Sequence, residues 1–172
     1  MEYTHLGRSG LLVSRIVLGT MNFGPHTSEE DSHAIMDRAL DAGINFFDTA
    51  NGYGGQGHRG RTEEIVGRWF AKTSRRDEVV LATKCYGSTL DEDVPNFSKL
   101  SAVNVRRSAI ASLRRLQTEH IDLYQMHHVD RATPWDEVWQ SMDRLVTSGS
   151  IVYVGSSNFA GWHIAAANEA AR

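Results

Sequence analysis

Two rhythms of hydrophobic residues alternate along the chain. Short β-rich runs occur at Ile16–Leu18, Ile44–Phe47, Val79–Thr83, Ile121–Met126 and Ile151–Val154. Several are apolar on both parities, which predicts parallel strands covered on both faces. Between them lie stretches long enough for the helical crossover that a parallel neighbour requires. Their apolar residues recur at three- and four-residue intervals.

Punctuation residues frame those helices. Thr27 and Glu30 have capping-box spacing, Ile35, Ala39 and Leu40 supply the apolar face behind them, and Gly43 precedes the next strand. A second helix is expected from near Thr62, and Ile110, Leu113 and Leu116 mark the buried side of a third. Thr133 and Pro134 predict an N-cap and a first helical residue. Trp135, Val138, Trp139, Met142, Leu145 and Val146 follow as a stripe that reads as core, and Gly149 ends it. A last helix is expected from about Gly161.

Residues 1–15 follow a different pattern. Alternation around Glu2–Leu6 and Leu11–Ser14 flanks Arg8-Ser9-Gly10, which predicts a hairpin with a Ser-Gly turn. Residues 1–172 therefore read as one domain, a hairpin over 1–15 and βα units over 16–172. Such α/β repetition allows an open doubly wound sheet or a (β/α)8 barrel. Five units would be a barrel truncated short of its eight, with two open sheet edges through which copies could associate.

Composition narrows the partners. Hydrophobic residues make up 41% and charged residues 23%, values ordinary for a soluble globular protein. A net charge of −3 gives no electrostatic ground for nucleic acid or an anionic membrane as partner. The pairs Arg75-Arg76, Arg106-Arg107 and Arg114-Arg115 read as solvated helix faces or ends. Cys85 is the single cysteine, so no intramolecular disulfide can form and a reducing compartment is expected. With no run of ~18 apolar residues and no apolar signal segment in MEYTHLGRSG, a cytoplasmic location is expected.

The strand ends carry the candidate chemistry. The carboxyl-terminal residues are Gly19-Thr20, Asp48, Lys84, His127 and Gly155-Ser156-Ser157-Asn158. In a barrel these ends converge on one face, where active sites are assembled. Asp48 beside Lys84 would favour a charged ammonium, and the ammonium beside Tyr53 would make the phenol a better proton donor. His127 could donate a hydrogen bond to a developing oxyanion. An acid plus an oxyanion donor is what hydride addition to a carbonyl demands.

Four ordered motifs make the pattern specific. FFDTANGYG followed by Gly-Arg-Thr-Glu-Glu, LATK at 81–84, DLYQMH at 122–127 and VGSSNF at 154–159 resemble the aldo-keto reductase family. The opening LGRSGLLVSRIVLGTMNFG resembles it too, particularly the branch related to potassium-channel β subunits. The resemblance implies a (β/α)8 TIM barrel with a hairpin closing its bottom, of which this chain matches the N-terminal part. It implies an oxidoreductase that reduces an aldehyde or ketone, a small-molecule carbonyl substrate, with NADPH/NADP+ as cofactor. The implied catalytic tetrad is Asp48, Tyr53, Lys84 and His127, with Tyr53 the general acid. Implied cofactor-binding residues are Thr20 and Met21 beside the ribose, Asp48, and Ser157 and Asn158 at the carboxamide. His128 and the loop Tyr86–Lys99 would rim the substrate mouth.

Rival readings exist. The Gly55–Gly60 stretch spells G-x-G-x-x-G but stands several residues beyond its strand, too far for a dinucleotide fingerprint. His127-His128-x-Asp130 is one short cluster without a clear third and fourth ligand, so no metal site is expected. Lys84 could serve a Schiff-base lyase, although Asp48 nearby would favour its charged form. A regulatory, channel-β-like subunit that binds NADPH is the rival from another class.

Overall fold

The computed structural model describes residues 1–90 and 94–172. Strands β1 (Tyr3–His5) and β2 (Leu12–Ser14) form an antiparallel hairpin. Five further strands, β3 (Leu18–Gly19), β4 (Phe46–Asp48), β5 (Val80–Cys85), β6 (Ile121–Met126) and β7 (Ile151–Ser156), make one parallel sheet. Between and after them run α1 (Glu29–Asp41), α2 (Arg61–Thr73), α3 (Ala102–Leu116), α4 (Trp135–Thr147) and α5 (Gly161–Ala170). Spatial order equals chain order. Each crossover therefore advances one strand in the same direction, the winding of a (β/α) barrel; a doubly wound sheet reverses its strand order. Strands β3 and β7 form the two edges, and the described residues do not close the sheet.

The two faces of the sheet are unequal. Phe47, Leu81, Cys85, Tyr124 and Met126 point outward and pack with Met36, Ile65, Trp69, Val105, Leu116, Val138 and Met142 from the helices. Each fully buried side chain of Leu or Phe size contributes about 1.5–3 kcal/mol, so most stabilisation comes from this helical side. The inner face holds a smaller cluster of Phe46, Ala82 and Leu123, capped by Val13 of the hairpin with Leu6 and Leu11 beside it. The hairpin thus covers the amino-terminal end of the inner face. Asn45 ties it there, accepting from the Ser14 N–H at 2.8 Å. Because side chains alternate with period two, the next inward positions toward the carboxyl ends are Asp48, Lys84, Gln125 and Gly155.

Several local expectations need correction. Ser28, not Thr27, caps α1, accepting from the Asp31 N–H; Met36 fills the buried face while Ile35 is exposed. Pro134 occupies the cap position of α4, because the Thr133 hydroxyl is drawn away to Asp130 Oδ2 at 2.7 Å. On α3 the buried face is mostly small and polar (Asn104, Ser108, Ala109, Ser112) around Val105 and Leu116. The first sheet strand begins at Leu18, leaving Ile16 and Val17 exposed. The hairpin turn spans four residues, Gly7–Gly10, closed by the Leu6 N–H to the Leu11 carbonyl, so it is wider than a Ser-Gly turn. The loop Tyr86–Lys99 falls partly on residues 91–93, outside the described residues. Among the described residues no helix is long and apolar enough to cross a membrane.

Two of the arginine pairs are structural rather than merely solvated. Arg76 donates to Thr118, to the Val79 and His120 carbonyls and to Asp122. Arg115 forms an ion pair at 2.7 Å with the fully buried Glu63, whose other oxygen accepts from Thr83 at 2.6 Å. This pair sits where α2 and α3 meet. There Gly67 permits backbone contact: a Cβ at that position would stand 2.1 Å from the Arg115 carbonyl oxygen. Removing one partner of a buried pair strands the other charge, so Arg115→Met is expected to destabilise the chain by roughly 3–5 kcal/mol. Urea unfolding measures this, and a loss below about 1 kcal/mol would contradict it.

Candidate active site at the carboxyl ends of the strands

The site begins with a lysine that cannot stay buried alone. Lys84 is 5% exposed, and a bare ammonium at that depth would be strongly disfavoured. Its three protons find three acceptors. Nζ donates to Asp48 Oδ2 at 2.6 Å, to the Thr49 carbonyl at 2.8 Å and to the Tyr53 hydroxyl at 3.4 Å. Strand β4 pairs with β5 in parallel register, Asp48 opposite Ala82. This places Asp48 one residue-pair below Lys84 on the same inner face.

Tyr53 arrives by a loop that keeps following β5. The Thr49 N–H donates to the Ala82 carbonyl and the Asn51 N–H to the Lys84 carbonyl, extending the pairing beyond β4. Ala50 is fully buried, and Gly52 follows without a side chain to accommodate. The chain then folds back: the Tyr53 N–H donates to Ala50, and the Tyr53 carbonyl accepts from Gly60. Gly54 makes this possible at φ 135°, where a Cβ would stand 2.1 Å from the His58 carbonyl oxygen. Gly60 adopts φ 92° beneath the Arg115 side chain. Both glycines thus have packing reasons for being there, and β4 ends at Asp48, well before Gly55.

His127 follows β6 directly, its N–H donating to the Cys85 carbonyl. Its ring meets Tyr53 edge-on, centroids 5.8 Å apart, and stacks on His128 at 4.9 Å. Tyr86 closes the row against His128 at 5.2 Å. Burial, then the Lys84 charge and His128, push the His127 imidazole down to about 4, only partly opposed by Asp48. The ring is therefore neutral at physiological pH and keeps one N–H to donate.

The remaining sequence-predicted residues fall around this centre. Thr20 is fully buried and its hydroxyl donates to the Asp48 carbonyl at 3.0 Å, while Met21 is exposed beside it. Ser157 and Asn158 follow β7, and Asn158 Nδ2 donates to the His127 carbonyl at 2.9 Å and to Ser157 Oγ at 3.2 Å. Asn158 stands in the left-handed region at φ 56°, which asparagine tolerates better than most residues. Sequence reasoning missed Gln125, whose amide donates to Asp48 Oδ1 at 3.0 Å. The signal was available: a polar residue within IDLYQM, on the parity of Leu123.

The model of the aldo/keto reductase family matches residues 15–172. The oxidoreductase YrpG of Bacillus subtilis is 58% identical over 167 residues, covering 95% of this chain and 51% of its own length. Norsolorinic acid reductase stcV of Emericella nidulans is 39% identical, covering 95% of this chain and 44% of its own. The aldo-keto reductase YhdN of B. subtilis is likewise 39% identical, covering 92% and 47%. This chain spans about half the length of the curated relatives it matches. The chain belongs to the aldo/keto reductase family.

Proposed function

We propose that this chain carries the reaction centre of an NADPH-dependent reductase that converts an aldehyde or ketone to an alcohol. The observation that supports this most is the shared ammonium: Lys84 Nζ bonds both the Asp48 carboxylate and the Tyr53 hydroxyl. The phenol oxygen accepts from the buried cation, which leaves its own O–H free to point at a carbonyl oxygen. Tyr53 is the proposed general acid, protonating the carbonyl oxygen as negative charge develops there. Neutral His127, edge-on to Tyr53, donates a hydrogen bond to the same oxygen and orients the carbonyl. The Asp48–Lys84 ion pair argues against Schiff-base chemistry, which needs an uncharged lysine.

Residues for the cofactor lie around the same rim. Bound NADPH supplies the hydride that the carbonyl carbon accepts. Ser157 and Asn158 offer a hydroxyl and an amide, a donor and acceptor set complementary to a carboxamide. Exposed Met21 is proposed to flank the ribose, with the buried Thr20 bracing the Asp48 carbonyl behind it, and Asp48 to border the nicotinamide side. Relatives of this family named as reductases support the reaction class, and a cytoplasmic location fits this reading.

Tyr53→Phe is expected to lower turnover by roughly 10²–10⁴ while NADPH affinity stays unchanged. NADPH consumption against an aldehyde and ketone panel, with cofactor fluorescence titration alongside, tests this; parental turnover in the variant would contradict it. A second expectation concerns His127. Its folded value of about 4 lies below the ordinary 6.5, so the unfolded chain takes up that proton first as pH falls. The stability tied to this ring is intact above about 6.5 and is lost as pH drops toward about 4. NMR titration of the His127 ring should give a midpoint near 4, whereas a midpoint near 6.5 would contradict a neutral, partly desolvated donor.

A further inference from the structure

The two oxygens of Asp48 are divided between two partners. Oδ2 takes the Lys84 ammonium at 2.6 Å, and Oδ1 takes Gln125 Nε2 at 3.0 Å. Gln125 sits directly opposite Lys84 in the β5–β6 register and opposite Gly155 in the β6–β7 register. A carboxylate only accepts hydrogen bonds, so the glutamine must present its NH₂ toward Asp48. On its other side, Gly155 leaves room: a Cβ there would stand 3.1 Å from Gln125 Cγ and 3.2 Å from Leu123 Cδ1.

We infer that Gln125 is a positioning residue, acting through Asp48 on Lys84 and thence on Tyr53. The terminal torsion of an aspartate is soft and broad, so an ion pair through one oxygen leaves the carboxylate free to turn. The amide holds its plane and keeps Oδ2 facing Lys84. All three ammonium protons are then engaged, and the bond to Tyr53, the longest of the three at 3.4 Å, depends on how firmly the other two fix the group. Gln125 thus stands as a fifth residue beside Asp48, Tyr53, Lys84 and His127. The inference builds on the proposed roles of Lys84 and Tyr53, but its test needs no turnover.

The chain has three lysines, Lys72, Lys84 and Lys99, so ammonium groups can be followed individually by ¹⁵N-lysine NMR. In the parent, Lys84 ammonium protons should exchange with water far more slowly than those of the exposed Lys72 and Lys99. Gln125→Met keeps the volume and removes the donor, and should speed Lys84 exchange about tenfold or more. Gln125→Glu sets a second carboxylate against Asp48 and should lose protection at neutral pH. Ammonium exchange slows in acid for every lysine, so protection is measured as the ratio to Lys72 at the same pH. By that measure Gln125→Glu should regain protection where a protonated carboxyl can donate again; a space-filling role would leave that ratio unchanged. Equal exchange in the parent and Gln125→Met would overturn the inference. So would a parent Lys84 exchanging as fast as Lys72, or unfolding of both variants, which would make Gln125 a packing residue. Unchanged Lys84 exchange alongside an inactive Tyr53→Phe would sink this inference alone, while protected exchange without carbonyl reduction would sink only the functional reading.

Discussion

A buried ammonium is the constraint from which the rest of the site follows. Lys84 lies almost wholly inside the protein, where an unpartnered charge would be costly enough to drive off its proton or open the structure. The chain meets that demand with a carboxylate from the strand beside it, a carbonyl from the loop that continues that strand, and a phenol from the loop's return. Strand order, register and the hydrogen bonds of Thr49 and Asn51 to β5 all serve this one coordination. The parallel pairing of β4 with β5 is therefore the element least open to change.

Strand β5 is held from both sides at neighbouring residues. Thr83 points outward and donates to Glu63, which Arg115 neutralises. Lys84 points inward to Asp48. Two ion pairs, one beneath the helices and one on the inner face, thus fix a strand a single residue apart. The apolar contribution comes mainly from the helical side, where Trp69, Phe47, Leu81 and Met142 are fully buried. That division leaves the carboxyl-end half of the inner face free to be polar, while the hairpin fills the other half with Val13, Leu6 and Leu11.

Much of this was legible because the relevant signals are local. Parallel strands with helical crossovers show themselves in hydrophobic rhythm, and the run Ile121–Met126 coincides with β6 residue for residue. Asp48, Lys84 and His127, at the ends of successive strands, mark the face where the candidate site forms. Caps were less legible, since Thr27 and Ser28, or Thr133 and Pro134, offer adjacent candidates that only tertiary partners such as Asp130 decide between. Arg76 and Arg115 looked like solvated helix charges because their partners, Asp122 and Glu63, are 46 and 52 residues away. Gln125 was missed for the same reason: its partner lies 77 residues away, across an intervening strand. Whether the sheet winds as a barrel or reverses is likewise a matter of strand order, which periodicity does not encode.

The central claim is that Asp48 and Lys84 act as one unit, the buried ammonium being tolerable only because the partly buried carboxylate meets it. A double-mutant cycle on stability, with Asp48→Asn, Lys84→Met and the pair together, measures that dependence directly. Coupled partners give an interaction free energy of roughly 2–3 kcal/mol, the double variant being far less destabilised than the sum of the single ones. Additivity within about 0.5 kcal/mol would show two independent residues and contradict the account.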